Sequence, residues 1–96
     1  MNLDSTLFVV AYDITDDRRR TRLHKLLSKY GDGVQYSLFE CSISHSRFDQ
    51  LLAEVERVIE PVEDSVRYYE LCRGCLRAIK SIGRMPDPTP KAVFLL

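Results

Sequence analysis

The sequence is short of several things, and each shortage excludes something. No apolar run approaches the ~18 residues of a membrane-spanning helix, so a membrane role is not expected. The opening MNLDSTLFVV has neither a basic stretch nor a small-residue cleavage site, so no secretory signal is read there. Three cysteines are an odd number. They argue against a disulfide framework and fit a reducing cytoplasm. Repeats and low-complexity tracts are absent. Net charge is also absent, with 14 basic and 14 acidic residues. The total alone therefore gives no support for a polyanionic partner.

The charge is unevenly spread, however. Residues 16–30 hold six basic and two acidic residues, a net of +4, and residues 65–86 hold five and one, again +4. Residues 47–64 hold two basic and six acidic, a net of −4. If the two basic segments share a face, nucleic acid can dock there. The 96 residues make one domain, long enough to bury roughly 60–65% of its unfolded surface.

Leu7 to Ala11 is apolar at every position and reads as a buried strand. Thr15 or Asp16 can cap a helix running to about Tyr30, with Leu23, Leu26, Leu27 and Tyr30 on one face. Arg18, Arg22, Lys25 and Lys29 form a second stripe, and Gly31 marks the stop. Gly33 to Ile43 reads as a long strand, kinked or bulged near Glu40 and Cys41. Ser44 or Ser46 caps a second helix carrying Phe48, Leu51, Leu52, Val55, Val58 and Ile59, which Pro61 ends. Ser65 to Cys72 and Arg77 to Gly83 read as strands, three prolines in Met85–Pro90 as an extended linker, and KAVFLL at 91–96 as one more strand. The order predicts an α+β, ferredoxin-like split βαβ (βαββαβ) domain over 1–84 and a tail with an extra C-terminal strand over 85–96. One sheet face would lack cover. That predicts a homodimer, and the tail suits pairing with a sheet edge.

Asp13 is the sharpest residue. A carboxylate at the end of a buried strand is costly unless paired or solvated. It can cap the helix, pair with an arginine of residues 18–22, or ligate Mg²⁺, which takes oxygen ligands and keeps several waters. A two-fold dimer would bring two such carboxylates together. Asp16 and Asp17 suit the helix dipole as capping residues. Cys72 and Cys75 form a CxxC without a second pair, read as incidental thiols in a strand-to-strand turn, since zinc needs four ligands. The tyrosines read as core or interface residues, with Tyr12 left open as a base-stacking platform.

Tyr12–Asp17, the arginines 18–22, Leu26, Gly31, the run Val34 to Glu40, the run Asp64 to Tyr69, Cys72, Cys75 and Ile82-Gly83 together resemble the CRISPR-associated Cas2 family over nearly the whole chain. The resemblance implies a homodimer with one Mg²⁺ held between the two Asp13 carboxylates. It implies metal-dependent endonuclease activity on single-stranded RNA or double-stranded DNA, and a bridging role with the CRISPR adaptation integrase in spacer acquisition. It carries over Asp13 as metal ligand, and Tyr12, Arg20, Arg22 and Phe39 as residues of activity or substrate positioning. Arg18, Arg19, Arg22, Lys25 and Lys29 are the expected nucleic-acid contacts. Gly33 stands where some members have an arginine, so one phosphate contact of those members is missing. The alternatives are a non-catalytic DNA-binding adaptor and a toxin-type ribonuclease of the virulence-associated D group.

Overall fold

The computed structural model describes residues 5–80 and 82. The chain forms β1 (Thr6–Asp13), α1 (Asp17–Leu27), β2 (Asp32–Gln35), β3 (Leu38–Ile43), α2 (His45–Val58), β4 (Ser65–Leu71) and α3 (Arg73–Ala78). The four strands make one antiparallel sheet in the order β2-β3-β1-β4. This is the expected α+β, ferredoxin-like arrangement. The linker at 85–90, the strand at 91–96 and the domain boundary near 84 lie outside the described residues.

Alternation along β1 sorts the sheet into two faces. Phe8, Val10 and Tyr12 point to the helices and join Leu23, Leu27, Leu51 and Val55 in the core. Their register partners Phe39 and Cys41 on β3 are buried in the same cluster. Phe48 of α2 stacks on Phe8 at 3.9 Å between ring centroids and meets Tyr68 of β4 edge-on. Leu7, Val9, Ala11 and Asp13 point to the opposite face, in register with Leu71, Tyr69, Arg67 and Ser65.

Two strand expectations are corrected. The long strand over Gly33–Ile43 is two strands joined by a turn at Tyr36 and Ser37, with the irregularity between Gly33 and Gln35. The break is therefore not near Glu40 and Cys41, both of which sit in the β1–β3 ladder. The strand expected over Arg77–Gly83 is absent among the described residues: α3 takes up Arg73–Ala78 instead. Cys72 caps that helix with its Sγ accepting from Cys75 N–H, and Leu76 is buried beneath it. The CxxC therefore opens a helix rather than joining two strands.

Of the alternative caps, Asp16 serves α1 and Ser44 serves α2. Helix α1 stops at Leu27, three residues early, and Gly31 is needed for a different reason from the one expected. A Cβ there would overlap the Glu40 carbonyl oxygen and come within 2.7 Å of Cys41 Cα. Glycine lets the chain leaving α1 run against the back of β3.

Candidate nucleic-acid interface and metal site

β1 delivers Asp13 to the end of the sheet's open face. The sequence does this simply: five apolar residues bury the strand, and the first carboxylate after them emerges where burial ends. Asp13 is exposed, and among the described residues its carboxylate makes no hydrogen bond or ion pair. Neither competing role is taken. Asp16 caps the helix through the Arg19 N–H at 2.9 Å, and the arginines bind elsewhere.

Arg19 is the clearest case. Its Nε donates to Asp64 Oδ2 at 2.8 Å, and its Nη2 reaches Glu63 at 3.0 Å. The Asp64 side chain is buried and also accepts from the backbone N–H groups of Glu60 and Thr15. The Arg19 guanidinium, with those amides, holds the Asp64 carboxyl down at about 2. Arg19 in turn is raised, first by its bond to Asp64. This guanidinium is occupied inside the fold, bound to a carboxylate whose side chain is fully buried. Nothing in the local sequence pairs it with Asp64, which lies 45 residues away.

Arg20 points to the other side of α1. Its guanidinium donates twice to the Ile14 carbonyl, at 3.3 and 3.1 Å, and pairs with Asp17. It thus braces the backbone directly after Asp13. Tyr12 is buried, with its hydroxyl donating to the Tyr36 carbonyl at 3.3 Å. Burial pushes its ionisation up, and the nearby Arg20 charge pulls back. Phe39 is buried between Tyr12 and His24. Tyr12 and Phe39 thus back the Asp13 end of β1 from inside rather than offering open rings.

Arg22, Lys25 and Lys29 lie on a different surface feature, a groove between the helices. With Leu26 they line a groove of about 390 Å³ against Glu54, Arg57 and Val58 of α2. Arg18, Arg22, Lys25 and Lys29 make no ion pair among the described residues. Glu54, the one acid in the groove, accepts from the Tyr30 hydroxyl at 2.9 Å. The groove is therefore strongly cationic.

A match to the family model "CRISPR associated protein Cas2" spans residues 6–79. The chain belongs to the Cas2 family. It is 43% identical to the CRISPR-associated endoribonuclease Cas2 3 of Synechocystis sp. over 84 residues, covering 88% of this chain and 91% of that relative. The Streptococcus pyogenes Cas2 crystal structure superposes with a TM-score of 0.71 at 29% identity, covering 80% of this chain and 99% of that one. A Cas2-like chain in a partial Cas6-RT-Cas1–Cas2 complex gives a TM-score of 0.70 at 30% identity, over 80% of this chain and 84% of that one.

For a metal, the donor set of one chain is thin. Among the described residues no group of three or more His, Cys, Asp or Glu side chains is placed to hold one. Asp13 is a free oxygen donor, so Mg²⁺ fits this chemistry only where a second Asp13 or a phosphate completes the shell. No described helix is long and apolar enough to cross a membrane.

Proposed function

We propose that this protein is a Mg²⁺-dependent endonuclease of CRISPR adaptation that works as a homodimer. The observation that carries the reading is Asp13, an exposed carboxylate without a partner among the described residues, at the edge of a half-apolar sheet face. Val9, Ala11 and Leu38 on that face are half-buried and Tyr69 is 47% exposed. A second copy covering it would bring two Asp13 side chains together, and these carboxylates would hold Mg²⁺ beside bound RNA or duplex DNA. The chemistry a bound Mg²⁺ would supply is activation of water and neutralisation of the charge developing on phosphorus. Arg20 fixes the backbone after Asp13, Tyr12 and Phe39 support the strand from the core, and the open cations hold the nucleic-acid backbone. Relatives named endoribonuclease and endonuclease support the hydrolytic reading.

The test is Asp13→Ala. The variant is expected to fold, to keep binding nucleic acid and to lose Mg²⁺-dependent cleavage by at least about a hundredfold. Cleavage equal to the parent's overturns the reading.

A non-catalytic adaptor is the second reading. The observation in its favour is that the cations of Arg22, Lys25 and Lys29, which make no ion pair among the described residues, line the α1–α2 groove. The structural relative in a complex with Cas1 supports an integrase partner for this chain. On this reading Asp13→Ala leaves DNA binding and spacer acquisition intact. Both roles place the protein in the cytoplasm with the nucleic acid it handles.

A further inference from the structure

The CxxC at the start of α3 has no part in the site described above, and its geometry is specific. Cys72 Sγ and Cys75 Sγ stand 3.3 Å apart. Both residues are exposed, whereas Cys41 is fully buried. Cys72 occupies the cap of α3, with its Sγ accepting the Cys75 backbone N–H at 3.4 Å. A cap alone does not call for sulfur, since Ser, Thr, Asp and Asn serve better there. Apolar filling does not call for it either, because neither side chain is buried. Two thiols held edge to edge in water are suited to thiol–disulfide exchange.

We infer that Cys72 and Cys75 form a redox-active dithiol that is oxidised to an intramolecular disulfide by low-molecular-weight disulfides of the glutathione type. Cys72 is the attacking sulfur. The hydrogen bond from the Cys75 amide, joined by the Cys75 thiol, lowers its ionisation below the ordinary thiol value, which raises its thiolate fraction at neutral pH. The Cys72 thiolate attacks one sulfur of the small disulfide, forming a mixed disulfide and releasing one thiolate. Cys75 then gives up its proton to solvent, attacks Cys72 Sγ and releases the second thiolate. Two electrons pass from the protein dithiol to the small disulfide, which leaves as two thiols.

Two neighbours favour the first step. Gly74 keeps one flank of Cys72 open, because even a Cβ there would stand 3.7 Å from the sulfur. Exposed Arg73 and Arg77 put positive charge beside the pair, which suits an anionic tripeptide disulfide. Cys41 is a built-in control: burial pushes its thiol up to about 11, so it stays protonated and shielded.

The experiment incubates the full chain with defined ratios of oxidised and reduced glutathione. Acid quenching, maleimide labelling and mass spectrometry follow. As the oxidised fraction rises, the peptide holding residues 72–75 is expected to lose about 2 Da and stop labelling, without a lasting glutathione adduct. Cys75→Ser should trap a glutathione adduct on Cys72. It should form measurably faster at neutral pH than the adduct on Cys75 in Cys72→Ser, because the Cys75 backbone N–H donates to Cys72 Sγ. Both variants keep an oxygen or sulfur cap and are checked for folding by circular dichroism. A pair that stays fully labelled at a large excess of oxidised glutathione overturns the inference. So does a glutathione adduct that persists unresolved in the unsubstituted chain. Equal adduct rates in the two serine variants overturn the assignment of Cys72 as attacking sulfur.

Discussion

Asp13 and Asp64 show how differently two carboxylates in one small chain can be used. Asp13 is left open, while Asp64 is gripped by Arg19 and two backbone amides. The Asp64 carboxyl falls from 3.8 to about 2 on folding. A depressed carboxylate contributes stability that is complete above its unfolded value and lost as pH falls through the folded one. Comparing thermal melts of the parent and Asp64→Asn should therefore give a constant deficit above about pH 5 that shrinks between about pH 4 and 2. A deficit that does not change with pH would mean the ion pair contributes nothing. Asp13 itself was legible in the sequence, because a buried strand ending in a carboxylate is a local pattern. That Arg19 belongs with Asp64 was not legible. The four arginines look alike in the sequence, and the contact that separates Arg19 from Arg18 spans 45 residues.

The elements were read well where periodicity was strong and missed where a backbone turn decided the matter. β1, α1, α2 and β4 follow from apolar spacing, and their caps from short oxygen-bearing side chains. The hairpin between β2 and β3 was hidden because Tyr36 and Ser37 carry no glycine, proline or asparagine signal. α3 was hidden because six residues are too few for a periodic stripe and its cap is a cysteine. Gly31 reads in the sequence as a stop signal, yet the structure gives it a steric duty against Glu40 and Cys41. Gly31→Ala should force α1 away from β3. We expect a loss of about 1–3 kcal/mol in urea unfolding, typical of overpacking, with α1 and β3 losing amide protection first. An unchanged unfolding midpoint would show that the close approach is easily relieved.

At the scale of the molecule, two surfaces stand out among the described residues: the half-apolar sheet face and the cationic groove between α1 and α2. The first predicts that Val9→Asp weakens self-association by at least about tenfold, as an unpaired charge in a covered face should. Light scattering after gel filtration reads this, and Mg²⁺-dependent cleavage should fall with the dimer. A Val9→Asp variant that stays dimeric would place the interface elsewhere. The second predicts a steep salt dependence of duplex binding. Each of Arg22→Ala, Lys25→Ala and Lys29→Ala should flatten the log–log slope by about 0.9 if it meets a phosphate. Zero net charge concealed this, because the acids of residues 47–64 balance the total without filling the groove. The sheet order has a consequence for synthesis. β1 lies between β3 and β4, so its second edge stays unpaired until Ser65 to Leu71 has been made. At roughly 5–20 residues per second, the nascent chain carries that bare apolar edge for several seconds on the ribosome.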